Sequence, residues 1–443
     1  MDTEDRLDVV VVGLGYVGLT LGVALARRGV RVHGVERRLD VVELTNKGIP
    51  HFSEVGLAPA LAAAVDGGRL RASQTTADIP PAAYYVLTVG TPLLAGTREP
   101  RLDMIEAATR EVAEHMPDDA TVILRSTVRV GTTRDVVRPI LEASGRRFKL
   151  AMCPERTLEG DALRELTLLP QIVGGMDPAA AGSAAALFSR LTNTIVRVSD
   201  PETAEMIKLV DNTSRDVRFA FANEVARACD AIGVNANEVI RFGKLGYSRT
   251  DVALPGLVGG PCLEKDPHIL AASLDAYGVD LEITRAARAV NERQPAETID
   301  AVLAELDRRK PGPYTVVVAG LAFKGRPETD DLRGSMSLPV LERLRASGRC
   351  GTIRLYDPVV EPEVLRTLGD VEVHDTLGEA CTGADLLVVA NNHPAFSSID
   401  LERTLMTMSD NGFVFDYWNN LADRPADILT GSYFTVGNLA GKF

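Results

Sequence analysis

Asp8-Val-Val-Val-Val-Gly13-Leu-Gly15-Tyr-Val-Gly18 is the stretch that decides the fold. A short β-branched run reads as a buried strand, and the glycine spacing directly after it opens a helix. Gly13 permits a tight turn, Gly15 lets a pyrophosphate approach the main chain, and Gly18 packs helix against strand. The helix N-terminus then faces the phosphates. Strand, glycine turn and helix in that order separate a dinucleotide fingerprint from a merely structural glycine turn. Glu36 ends the second strand, where an acid binds the adenosine ribose hydroxyls, which favours NAD over NADP. Arg37 and Arg38 follow it and suit a 2′-phosphate, so that choice stays open here.

Outward from this segment, apolar runs alternate with helical stretches: Asp8–Val12, Val30–Val35, Tyr84–Val89, Thr121–Leu124, Phe148–Met152 and Thr194–Val198. Such runs predict a parallel sheet covered on both faces. Pro201–Ile232 has helical periodicity with no internal Gly or Pro; Ser199 or Asp200 suits its N-cap and Gly233 its end. Ile207, Val210, Val217, Phe221 and Val225 make its apolar stripe, and a helix of this length suits pairing with its own copy in a dimer. The alternation resumes at Tyr314–Ala319, Thr352–Tyr356, Val371–His374, Leu386–Ala390 and Phe413–Phe415, after Lys-Pro-Gly-Pro at 310–313. The fold class expected is α/β, with two Rossmann-like doubly wound parallel-sheet domains joined by a long central helix. The expected domains are 1–200, a helical 201–305, and 306–443.

At 443 residues, 45% hydrophobic and 25% charged, the chain is neither disordered nor a disulfide scaffold. A net charge of −13 argues against nucleic acid or an anionic membrane as partner. The five Cys show no metal spacing, and an odd number suits a reducing compartment. Met1–Arg6 is acidic, Leu7–Val12 is too short for a signal sequence, and no apolar run approaches the roughly 20 residues of a membrane span. A cytoplasmic protein is expected. Only eight residues are Lys, at 47, 149, 208, 244, 265, 310, 324 and 442, so each is worth locating.

Four further places carry chemistry. Thr91-Pro92 and Ser126-Thr127 follow strands at the sheet edge that would meet a cofactor, or are ordinary turns. In Gly259-Gly-Pro-Cys262-Leu-Glu-Lys265-Asp266-Pro, a helix is expected from Pro267 with Asp266 as N-cap. Cys262 then lies in an accessible Gly-rich loop beside Lys265 and a positive helix end, which favours a nucleophilic thiolate; a small buried Cys is the alternative. Lys208 and Asn212 are i and i+4 on the long helix, with Arg215 continuing the face. They make either an oxyanion-binding pair or a solvated surface. Glu155 and Glu159 follow a strand end and are either acid/base groups or surface charges.

In order along the chain, GLGYVGL (13–19), TP (91–92), STV..GT (126–132), PER..EG (154–160), K...N (208–212), FANE (221–224), GGPCLEKD (259–266), GLAFK (320–324), T.D.R (329–333) and YDP (356–358) resemble the UDP-glucose/GDP-mannose dehydrogenase family, the nucleotide-sugar 6-dehydrogenases. The resemblance runs nearly end to end. It implies NAD-dependent four-electron oxidation of a sugar C6 alcohol to a carboxylate, through a thiohemiacetal and a thioester on Cys262. By the same resemblance Lys208 and Asn212 stabilise the oxyanion, Asp266 acts as base through a water, and Glu155 assists hydrolysis near Thr127. Cofactor contacts fall on Gly13, Gly15, Tyr16, Val17, Gly18, Glu36, Arg37, Thr91, Thr127, Glu159, Lys265 and Arg333. Substrate contacts fall on Glu155, Arg156, Lys208, Asn212, Arg249, Gly259, Phe323 and Lys324. No metal is implied. A homodimer or higher homo-oligomer with a shared active site is, with Arg249 a candidate cross-subunit contact. Three departures stand out. Cys153 replaces an Asn, Trp418 stands where Arg is frequent, and Asn212-Thr-Ser-Arg215 resembles the N-acetylhexosamine branch. The substrate expected first is UDP- or dTDP-glucose, with UDP-N-acetylhexosamine as the alternative.

Overall fold

The computed structural model describes residues 7–77, 79–94, 98–422, 424 and 429–442; the acidic Met1–Arg6 lies outside them. The chain forms two compact units, Met1–Asp211 with His268–Asp280, and Asn212–Pro267 with Leu281–Phe443. The 201–305 segment is thus divided between the two.

The first unit holds eight strands: β1 (Leu7–Val12), β2 (Val32–Val35), β3 (Leu70–Ser73), β4 (Ala82–Leu87), β5 (Ala120–Leu124), β6 (Phe148–Met152), β7 (Gln171–Gly175) and β8 (Ile195–Val198). Their order is β3-β2-β1-β4-β5-β6-β7-β8. Alternate residues of β1 enter cores on opposite faces, Val9 and Val11 on one and Val10 and Val12 on the other. Burial on both faces is why β1 reads as a continuous valine run. Order reverses between β1 and β4, which opens a crevice at their carboxyl ends.

The second unit holds β9 (Tyr314–Ala319), β10 (Cys350–Tyr356), β11 (Glu372–Val373), β12 (Leu386–Val389), β13 (Phe413–Asp416) and β14 (Tyr433–Thr435), ordered β11-β10-β9-β12-β13-β14. All five of its pairings are parallel. Here the order reverses between β9 and β12. The two sheets repeat one device beside this switch. The Glu36 carboxylate, after β2, accepts the Leu14 N–H following β1 at 3.0 Å. Asp357, after β10, accepts the Leu321 N–H following β9 at 2.5 Å.

Both doubly wound domains agree with expectation, but the first sheet is not wholly parallel, because β7 runs antiparallel to β6. The strands β3, β7 and β14 escaped the sequence reading. They have three to five residues, and β7 ends in two glycines, so periodicity has little to act on.

Pro201–Ile232 is one helix of 32 residues. Asp200 caps it, accepting the Thr203 N–H at 2.8 Å, and Gly233 at φ +68° ends it. Val210 and Phe221 of the apolar stripe are exposed, whereas Glu205, Lys208, Asn212, Asp216 and Asn223 are buried. Arg215 is exposed, and Asp216, not Arg215, continues the Lys208–Asn212 face. Buried polar groups need partners, and these lead into the site. Among the described residues no helix is long and apolar enough to cross a membrane.

Candidate active site

In the first unit, Gly13 adopts φ +94°, which L side chains avoid. A Cβ on Gly18 would overlap the Gly13 carbonyl oxygen, while one on Gly15 would meet nothing within 4 Å. The middle glycine therefore borders open space at the N-terminus of the Tyr16–Arg27 helix, where a pyrophosphate fits. Thr88, unremarked in the sequence, clasps the turn by donating to the Val12 and Gly13 carbonyls at 2.9 and 2.7 Å. Arg38 folds onto Asp40 and Arg37 is exposed. The cradle with Glu36 at its edge fits NAD.

Thr91 Oγ1 donates to the Thr127 carbonyl at 2.5 Å. Ser126 Oγ donates to the Val89 carbonyl at 2.6 Å, tying the β4 and β5 ends together. Tyr16 does more than line the cradle. Its hydroxyl donates to Glu54, and Glu54 accepts the N–H groups of Gly160 and Ala162 at 2.7 and 2.8 Å. The segment bearing Glu159 is thereby pinned to the glycine turn, and Glu159 acts electrostatically on Tyr16. Burial first, then Glu54, raises the Tyr16 hydroxyl's pKa. Val17 is half-buried in the same turn.

Glu155 is buried and fully engaged. One oxygen accepts Arg125 Nη2 and Nε at 2.6 and 3.1 Å. The other accepts the N–H groups of Arg156 and Thr157 at 2.7 and 2.8 Å. Burial pushes its pKa up, but Arg125, the Thr157 N–H and the charge of Lys208 outweigh it and hold the carboxyl below its ordinary range. Four donors fill the roughly four lone-pair sites of a carboxylate, so Glu155 as placed has none left to take a water proton. Arg156 lies 3.4 Å from Asp211, and its Nε is buried with no hydrogen-bond partner among the described residues, a donor suited to a ligand. Cys153 is a buried plug whose thiol is pushed up to about 12 by burial.

In the second unit Cys262 is exposed, but it sits in a helical turn, Gly260–Leu263, and not in the loop expected. The glycines before it are required by contact. A Cβ on Gly260 would enter the Phe323 ring, and one on Gly259 would meet the Gly334 carbonyl. The Gly260 N–H donates to that carbonyl at 2.6 Å. Asp266 is no N-cap either. It opens the helix Asp266–Asp275, is wholly buried, and accepts Asn212 Nδ2 at 2.6 Å and Lys265 Nζ at 2.8 Å. A cap lies just before the first helical residue and turns to backbone N–H groups; here Asp266 is itself the first helical residue and turns to two side chains.

Lys324 lies over the Phe323 ring at 5.2 Å. Arg333 is closed on Asp331 at 2.6 Å, and Arg249, exposed, stacks on Tyr247 at 4.6 Å. Trp418 donates to the Ala390 carbonyl at 3.1 Å and its ring covers Gly256. Of the partners that sequence reading missed, Arg125 carried a faint signal, as a charge directly after an apolar strand. Glu54 carried none, since its partner Gly160 is 106 residues away.

Comparison with known proteins divides the chain into three segments. The UDP-glucose/GDP-mannose dehydrogenase family profiles match the chain as an NAD-binding domain over residues 7–192, a central domain over 202–293 and a UDP-binding domain over 317–423. The UDP-N-acetyl-D-mannosamine dehydrogenase of Pyrococcus horikoshii is 34% identical over 428 residues, covering 95% of this chain and 97% of the relative. The solved structure of UDP-D-ManNAc dehydrogenase from that organism superimposes with a TM-score of 0.87 at 33% identity, over 98% of this chain and 99% of that one. An NDP-N-acetyl-D-galactosaminuronic acid dehydrogenase of Ralstonia nicotianae is 34% identical over 90% of this chain and 94% of its own. A UDP-glucose dehydrogenase structure from Pyrobaculum islandicum gives a TM-score of 0.83 at 27% identity, over 96% and 97% of the two chains.

Proposed function

Since the chain belongs to the UDP-glucose/GDP-mannose dehydrogenase family and is an NAD-dependent nucleotide-sugar dehydrogenase, we propose that it oxidises a UDP-N-acetylhexosamine at C6, with the mannosamine sugar foremost. The observation that carries this choice is the end-to-end identity with an acetylmannosamine enzyme. The Asn212-Thr-Ser-Arg215 segment supports it. The glucose nucleotides expected first from sequence give way to their alternative.

The proposed chemistry converts one alcohol, two NAD and one water into a carboxylate, two NADH and three protons. Bound NAD supplies the acceptor for each two-electron oxidation. Gly13, Gly15, Gly18 and Glu36 hold it. Cys262 adds as thiolate to the aldehyde carbon, giving a thiohemiacetal; the second oxidation leaves a thioester, and water cleaves it to release carboxylate and thiol. Lys208 and Asn212 donate to the developing oxyanion. Asp266, with two of its four lone-pair sites unfilled by Asn212 and Lys265, takes protons through a water. Glu155 serves as a fixed charge that shapes the Pro154–Gly160 segment.

Val210 and Phe221, exposed on the long helix, suit pairing with a second copy. Sedimentation of the purified chain tests that pairing, and a purely monomeric species would end it.

Initial rates and NADH yield on UDP-ManNAc, UDP-GlcNAc, UDP-glucose and dTDP-glucose test the function. Two NADH per acetamido sugar are expected. Turnover confined to the glucose nucleotides would sink the substrate assignment, and one NADH per sugar would sink the covalent route.

A further inference from the structure

Arg288 lies on the helix Glu282–Arg309, matches none of the motifs above, and is 1% exposed. Its guanidinium is spent on the chain around Cys262. Nη2 donates to the Val258 carbonyl at 2.9 Å, and Nη1 to the Leu263 carbonyl at 2.9 Å. Nη1 also pairs with Asp216 Oδ1 at 2.6 Å. One planar cation therefore bridges the main chain four residues before the cysteine and one residue after it.

The counter-charge comes from the long helix. Asp216 is i+4 from Asn212, and Asn212 holds Asp266, which lies four residues after Cys262. Two successive turns of one helix thus fix the segment on both sides of the thiol, one directly and one through Arg288. Asn291, one turn beyond Arg288, donates to Asp216 Oδ1 and its carbonyl at 2.9 and 3.0 Å. Asn223 completes the lattice by donating to Asn291 Oδ1 at 3.0 Å and to the Gly256 carbonyl at 3.1 Å. All of these side chains are buried, whereas Cys262 itself is exposed. The nucleophile is free at its tip and immobilised at its root.

We propose that Arg288, charge-balanced by Asp216, is a positioning residue that sets Cys262 for attack on the aldehyde. This role rests on the covalent reading given above. An exposed side chain on a Gly-Gly-Pro turn depends on the main chain beneath it for its position, and misplacement of a reacting atom by about 1 Å costs on the order of 10²-fold in rate. A guanidinium is suited to the task because its fork reaches two carbonyls and a carboxylate at once; an ammonium is a single point of donation.

Arg288→Lys keeps the charge opposite Asp216 and loses the bridge. Its turnover, KM for sugar nucleotide and NAD, NADH yield and melting temperature should be compared with wild type, together with the rate at which iodoacetamide labels Cys262, using Cys262→Ser as the blank. The expected result is turnover lowered about 10- to 100-fold with both KM values within threefold, free aldehyde trapped by semicarbazide, and an altered labelling rate. A folded lysine variant with wild-type turnover and labelling overturns the proposal. If that variant does not fold, Asp216→Asn, which can still accept from Arg288, carries the same comparison with the same two outcomes. Failure of the covalent reading is distinct: Cys262→Ser would then yield two NADH per sugar, whatever Arg288→Lys does.

Discussion

Asn212 and Asp266, 54 positions apart in the chain, meet in a 2.6 Å hydrogen bond from amide to carboxylate. The contact makes Asn212 more than an oxyanion donor, because it also satisfies a wholly buried charge. Removing one partner of a buried charged hydrogen bond costs about 1–3 kcal/mol. Asn212→Ala should therefore lose that much stability in urea unfolding besides its turnover. Asn212→Asp, nearer in shape, should be less stable than the alanine variant at pH 8, because it sets two carboxylates at this distance. The reverse order would show that the bond does not matter to the fold.

Cys262→Ser should stop after the first oxidation, since a hydroxyl is a poor nucleophile at its ordinary pKa. One NADH per active site in rapid mixing, followed by little turnover, is the expected trace. Full steady-state activity would falsify the thioester route.

Lys208→Ala should lose roughly 10²–10³ in kcat if the buried ammonium is a main oxyanion donor. NAD affinity, measured by fluorescence, should be unchanged. A loss below tenfold would leave Lys208 only as part of the charge that holds Glu155 ionised.

Arg125→Met leaves Glu155 buried without its guanidinium, and breaking a buried pair in this way costs about 3–5 kcal/mol. Adding Glu155→Leu to that chain should restore much of the loss. A double-mutant cycle by urea unfolding checks this; additive effects would mean the pair at 2.6 Å is energetically idle.

Glu205 accepts the Gly131 N–H at 2.6 Å, the Thr133 N–H at 2.9 Å and the Thr133 hydroxyl at 2.6 Å. Burial nevertheless pushes its pKa from 4.5 up to about 7. The folded value lies above the unfolded one, so its contribution is fully present below pH 4.5 and lost as pH rises through about 7. Melting temperature should fall across that window, and Glu205→Gln should flatten the slope. An unchanged slope would assign the pH dependence elsewhere.

The glycine turn, the long helix and its cap, and most strands of both sheets were legible in the chain because each is a local pattern. Periodicity, capping and glycine spacing act over a few residues, and Val9 to Val12 announce a doubly covered strand by themselves. The motif residues were legible for the same reason. What the chain alone could not decide is which distant group meets each buried charge. Asp216 with Arg288, Arg125 with Glu155 and Glu54 with Gly160 are pairs separated by 72, 30 and 106 residues. Nothing in the composition of either member names the other. The facing of the long helix is a tertiary result as well. Val210 and Phe221 are exposed, whereas Glu205, Asn212, Asp216 and Asn223 are buried, because each of these four finds a specific donor or acceptor that water would otherwise supply. Tertiary structure decided where desolvation could be offset, and with it the setting of Cys262.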